Sequence, residues 1–158
     1  MPISAANAVD PRWENLAVGL CHVLGNTCRL ARTSMSYSWN VTGPGARSFA
    51  LVLEQHGAEM HDQLKPLALL IRGLSSPAYL NYHDTNLAVD PPRDGPMPGI
   101  EGMMAALVEG HRQASLSVDA TLDLARDCED APSIAHLSAH LGLHRRMVWE
   151  LSAEQSAI

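Results

Sequence analysis

Lysine is almost absent from this 158-residue chain: Lys65 is the only one, and the other ten basic residues are arginines scattered from Arg12 to Arg146. The formal net charge is −6. A surface that neutralises phosphates needs clustered Lys and Arg, so nucleic-acid binding through a lysine-rich tail is not expected. Aromatic residues make up only 4%, too few for a β-sandwich, where Val, Ile, Thr and Tyr should dominate. Eighteen apolar residues never run together, and Met1 to Asp10 has neither a basic nor an apolar stretch. No membrane span or leader is expected, and the chain reads as soluble and cytoplasmic. Cys21, Cys28 and Cys128 lack metal-site spacing, and at 1.5 Å per residue Cys21 and Cys28 lie about 10 Å apart on one helix, too far to bridge. They read as packed thiols.

What remains is 46% hydrophobic and 18% charged, with 11 Gly and 10 Pro, the composition of an ordered globular domain rich in Leu, Ala, Met and His. Asp10-Pro11 is a helix start, an N-cap acid followed by proline, and Trp13, Leu16, Leu20, Val23, Leu24 and Ala31 recur at helical spacing. The first helix should run to about Trp39 and break at Thr42-Gly43-Pro44-Gly45. A second, from about Arg47 to Leu74, should kink at Pro66. From Ser75 to Gly99 five of the ten prolines interrupt any helical pattern, so this stretch reads as a crossover with a short helix near Leu80 to Asn86. A third helix is expected over about Ile100 to Asp127 and a fourth from Asp130-Ala131-Pro132 to about Ala153. Two helical pairs joined by one long connection define an all-α, ferritin-like four-helix bundle. Residues 1–9 are expected to be a tail and residues 10–154 the bundle.

At the first helix junction stands Ser38-Trp39-Asn40-Val41-Thr42-Gly43-Pro44, followed by Phe49-Ala50 and Glu54. This segment resembles the signature of the Dps family of small ferritin-like shell proteins, His-Trp-Asn-x-x-Gly with a Leu-His and then an acid four residues later. The resemblance extends more weakly over residues 13–153, including Arg72-Gly73-Leu74 and Met147-Val148-Trp149. It implies a homo-oligomeric shell of twelve subunits, iron storage or stress protection, and a ferroxidase centre shared between two subunits. In relatives one subunit gives two histidines and an acid, and its partner gives two carboxylates; such a set stabilises ferric iron while leaving positions open for oxidant.

Carried over residue by residue, the two histidine positions hold Ser38 and Ala50, the acid survives as Glu54, and the partner's carboxylate positions fall on Lys65 and Leu69. The resemblance therefore implies a degenerate centre with weak or absent ferroxidase activity. Lys65 of one subunit could face Glu54 of another, its ammonium standing in for iron's charge; the plainer reading is that Lys65 reaches solvent beside Pro66.

Metal chemistry elsewhere is open to iron or another divalent ion. His136, His140 and His144 repeat every four residues on the fourth helix, a spacing that can chelate Zn, Cu or Ni or line a three-fold pore; the plainer reading is a polar stripe beside the apolar one. Glu54 and His61 share a face of the second helix, with Lys65 one turn on, and could hold a single metal. His56 and Glu59 read as a solvated pair on another face. A Glu-x-x-His step, the mark of the ordinary intra-bundle di-iron site, does not occur, nor does a Gly-x-Ser-x-Gly elbow or a phosphate loop. An alternative is a His-rich bundle similar to the DinB-like metal-dependent hydrolases, with His56, His140 and His144 as ligands.

Overall fold

A computed structural model of the chain describes residues 10–79 and 95–155. The assignments made above to residues 1–9 and to a short helix at 80–86 lie outside the described residues. Helix α1 spans Pro11–Asn40, α2 Ala46–Asp62, α3 Leu64–Gly73, α4 Ile100–Asp127 and α5 Ala131–Gln155. Among the described residues there is no strand. α1 lies along α2 and α4, and α4 along α5, so α2 and α3 together act as the second long helix of a four-helix bundle.

Each end has a local cause. The Asp10 carboxylate accepts the Arg12 N–H at 3.0 Å while Pro11 occupies the first turn, where its missing donor costs nothing. Gly43 and Gly45 adopt φ of 99° and 77°, backbone that lets α1 reverse into α2 within five residues. At the α4–α5 turn Glu129 takes a left-handed φ of 55°, and the Asp130 carboxylate caps α5 through the Ser133 N–H at 3.3 Å.

The second helix breaks at Gln63, three residues ahead of the expected kink at Pro66. Proline has no N–H to give the carbonyl four residues earlier, and its ring crowds that carbonyl, so the strain falls at Asp62 rather than at the proline itself. Gln63 closes the gap by donating its N–H to the Met60 carbonyl at 3.1 Å.

Two apolar clusters fill the bundle. One gathers Leu30, Phe49, Leu53, Met60, Met103, Leu107, Met147 and Leu151; the other gathers Leu16, Leu20, Leu24, Leu67, Ile71, Val118, Leu122, Leu137 and Leu141. Met103 and Met104 are core residues at 1% exposure, in keeping with a packing role. Close packing of α1 on α2 depends on Gly57, where a Cβ would lie 2.8 Å from the Met35 sulfur. Cys28 and Cys128 are buried, Cys21 is partly so, and all three are free thiols.

Phe49 is the chain's single phenylalanine and is 2% exposed. Phe49→Ala should lower unfolding free energy by about 3–5 kcal/mol, read from urea denaturation followed by helical circular dichroism.

Candidate functional site

Between the two apolar clusters the helices present a layer of polar side chains. α1 contributes Thr27, α2 His56, α4 His111, and α5 His140 and His144; each is between 0% and 1% exposed. These residues lie on the same stripes as the core. On α5 the inward positions run Leu137, His140, His144, Met147, Leu151 at alternating steps of three and four, and on α2 they run Phe49, Leu53, His56, Met60.

The layer is a chain of contacts across the bundle. At its outer end Arg146 donates to Glu150 at 2.8 Å and also pairs with Glu59. Glu150 accepts from His56 Nε2 at 2.6 Å. His56 stands edge-on to His111, ring centres 6.4 Å apart. His111 and His144 share a hydrogen bond between their Nδ1 atoms at 2.9 Å. His144 packs edge-on against His140 at 4.7 Å, and His140 Nε2 lies 2.9 Å from Thr27 Oγ1. His136 stacks on His140 at 6.0 Å.

Proton positions follow from the donors available. The Thr27 hydroxyl has one hydrogen and donates it to the Val23 carbonyl at 2.7 Å, so His140 Nε2 must carry the proton and donate to Thr27. The Glu150 carboxyl would be raised by its burial, but hydrogen bonds from Arg146 and His56 outweigh this and hold it below its ordinary value. It is therefore an acceptor, and His56 Nε2 is the donor. These assignments leave His56 Nδ1 and His140 Nδ1 without partners, together with Nε2 of both His111 and His144.

Burial, reinforced by the repulsion that protonating adjacent imidazoles together would bring, pushes His111, His140 and His144 each down to about 3 from an ordinary 6.5. All three are neutral at physiological pH. Burial also lowers half-buried His136.

A second feature is a groove of about 560 Å³ between α1 and α2, walled by Arg32, Trp39, Glu54, Gly57, His61 and Asp62 among others. Here Glu54 and His61 line one groove, as their spacing on one helix face implied, together with Asp62. Lys65 is not part of the wall, because the break at Gln63 separates it from α2. Ser38 is 8% exposed and gives its hydroxyl to the Met35 carbonyl at 2.8 Å. Lys65 and Leu69 are exposed on α3, and Ala50 is half-buried.

Several sequence expectations change. His140 and His144 do not form a surface stripe or line an outer pore; at 1% exposure they are inside the subunit, because they occupy inward positions of α5. His56 is not a solvated partner of Glu59. It is 1% exposed and bonds to Glu150, while Glu59 pairs with Arg146. His111 and Thr27 carried no assignment from sequence, although each falls on the apolar stripe of its helix, the signal that would have found them.

A model of the ferritin-like domain family matches residues 19–157. Dps from Vibrio cholerae O1, described as a member of a broad superfamily of ferritin-like diiron-carboxylate proteins, superposes with a TM-score of 0.82 at 19% identity, covering 98% of this chain and 99% of that one. Dps from Thermosynechococcus elongatus gives 0.85 at 16% identity over 94% and 95%. A dodecameric thioferritin, the bacterioferritin-related protein from Bacteroides fragilis, gives 0.82 at 14% identity over 92% and 86%. Among curated protein sequences none matches. The chain belongs to the ferritin-like domain family, and its fold is the one seen in Dps proteins. Among the described residues no helix is long and apolar enough to cross a membrane.

Three neutral rings in the core set a pH dependence for chelator-treated protein. Their folded values lie below the unfolded 6.5, so the unfolded chain binds more protons than the folded one between about pH 6.5 and 3. Stability is complete above that window and falls as pH drops through it, by at most about 1.4 kcal/mol per ring for each pH unit. Urea unfolding at a series of pH values should show this slope, and His140→Leu should flatten it; equal stability from neutral pH to about 4 would contradict the assignment.

Proposed function

We propose that this chain is a Dps-type shell protein that holds iron or protects against it, with an inter-subunit ferroxidase centre that has largely lost its ligands. The observation that carries this reading is the groove between α1 and α2, where the Dps-like Trp39 and Glu54 stand together but the two histidine positions hold Ser38 and Ala50. Ser38 keeps its hydroxyl on backbone, and Ala50 offers no donor atom. At the positions of the partner's carboxylates, Lys65 would repel a cation and Leu69 would not bind one. Glu54, His61 and Asp62 line the groove without converging into a metal-holding group, so they lend it polar and acidic character and no iron centre.

Assembly into a closed homo-oligomer is supported by large apolar side chains left on the subunit's outside: Trp39 at 71%, Leu51 at 61%, Leu69 at 60%, Leu116 at 71% and Trp149 at 69% exposure. Single exposed apolar residues are ordinary, but five this large on one small bundle favour burial against other copies. Twelve subunits, as in the resemblance, would multiply the charge of −6 per chain into a field that gathers cations. A cytoplasmic location and a role in stress response accompany the same reading. The DinB-like hydrolase alternative has less support: an open catalytic metal needs room for substrate, and His56, His140 and His144 are each 1% exposed.

Light scattering on the eluting peak should give about 205 kDa for twelve 17.1-kDa chains; a mass of one or two chains would remove the shell. Aerobic oxidation of ferrous iron, followed by ferric absorbance, should run no faster than in buffer and be unchanged in Glu54→Ala. Rapid oxidation abolished by that substitution would restore an active centre.

A further inference from the structure

The polar layer has a deficit of donors. With His56 and His140 each committing an Nε2–H, to Glu150 and Thr27, their Nδ1 atoms lie buried with no hydrogen-bond partner, and that of neutral His140 is a bare lone pair. His111 and His144 share one hydrogen bond, Nδ1 to Nδ1, so one of their two Nε2 atoms is another bare lone pair and the other an unpaired N–H. Each unpaired buried polar atom has lost its water without a replacement partner, which destabilises the empty core. Protonation would partner the lone pairs only by placing like charges a few ångströms apart in a dry core.

We propose that the bundle core holds one divalent d-block cation of the zinc class, ligated through Nδ1 of His111 and His144 with Nδ1 of His140 and His56 completing the set. Neutral imidazoles are the ligand form such ions take. Two nitrogen ligands about 2.0–2.1 Å from a tetrahedral zinc stand roughly 3.3 Å apart, and the His111 and His144 Nδ1 atoms are already 2.9 Å apart. The surroundings match as well. A ligating histidine usually gives its other N–H to a carboxylate or similar acceptor, which fixes tautomer and ring direction; His56 does this to Glu150 and His140 to Thr27.

Without the ion, no three His, Cys, Asp or Glu side chains among the described residues form a group that could hold a metal, and the two central nitrogens are hydrogen-bonded to each other. Loading therefore replaces that hydrogen bond. The ring donating from Nδ1 changes to its Nε2–H tautomer, so no proton is released. His56 and His140 keep their Nε2–H bonds to Glu150 and Thr27 and close on the ion through Nδ1 by small side-chain shifts. Of the four unpaired ring nitrogens on these residues, those of His56 and His140 gain a partner. The site is closed to solvent, a structural rather than catalytic pattern, and it lies apart from the α1–α2 groove, so it stands whether or not the shell reading does.

Cobalt is the probe, since Co²⁺ in a tetrahedral nitrogen site absorbs strongly in the visible. Full-length protein expressed in cobalt-supplemented medium should carry about one Co²⁺ per chain by elemental analysis and show that band. Zinc added during chelator-and-urea unfolding and refolding should bleach it. His111→Leu and His144→Leu should each lose metal and band while keeping the helical spectrum, and His22→Ala, on the exposed face of α1, should keep both. Should the leucine variants fail to fold, Thr27→Val gives the answer: it removes only the acceptor that orients His140 and should weaken cobalt binding about ten-fold or more. Folded wild-type protein with only trace metal and no band overturns the proposal. So does a band that survives in both leucine variants or in Thr27→Val with unchanged affinity, or one lost in His22→Ala.

Discussion

The hydrogen bond between His111 and His144, buried between two apolar clusters, is the constraint around which this bundle is organised. An imidazole in such a place must stay neutral, and each of its nitrogens needs a partner. Four helices supply partners in sequence: Thr27 from α1, His56 from α2, His111 from α4, and His140, His144 and Glu150 from α5. A polar chain paired this far, with one nitrogen of each ring still bare, ties the helices to one relative register, since a slide of one turn would break the hydrogen bonds it does make. The register of the two apolar clusters is thus set by the layer between them as much as by their own packing.

The layer and the groove are two polar places of opposite character. The groove between α1 and α2 is open and is lined by two carboxylates and one imidazole that do not gather into a metal-holding group. The core layer is dry and made of nitrogen donors, suited to a borderline ion held tightly or to none. Members of one fold family can keep the bundle while the chemistry moves, because the helices define positions and the side chains at those positions define ligands.

Much of the architecture was legible in the residues. Asp10-Pro11, Gly43 and Gly45, and Asp130 mark ends that the backbone honours, and the span Ile100–Asp127 of α4 matches its apolar periodicity. The break in the second helix was placed at Pro66, where the sequence changes, and occurs at Gln63, where the missing hydrogen bond is felt. The likeness around Trp39 pointed to a ferritin-like bundle, and the family match agrees. The common face of Glu54 and His61, seven residues apart on α2, is equally legible, since helical geometry alone turns both toward one groove.

The histidines were misread for a different reason. The four-residue spacing of His140 and His144 suggests a polar row, since histidine is usually partly exposed, but the alternating steps from Leu137 to Leu151 place them inward. His56 was matched with Glu59 because the two are close in sequence; its true partner, Glu150, is on another helix. Local sequence by itself determined helix ends, faces and the order of elements, because those depend on capping, periodicity and proline within a few residues. Only the tertiary structure decided which imidazoles meet, which lose their water and which nitrogen is left bare, because those depend on distances between helices that no spacing along one chain segment encodes.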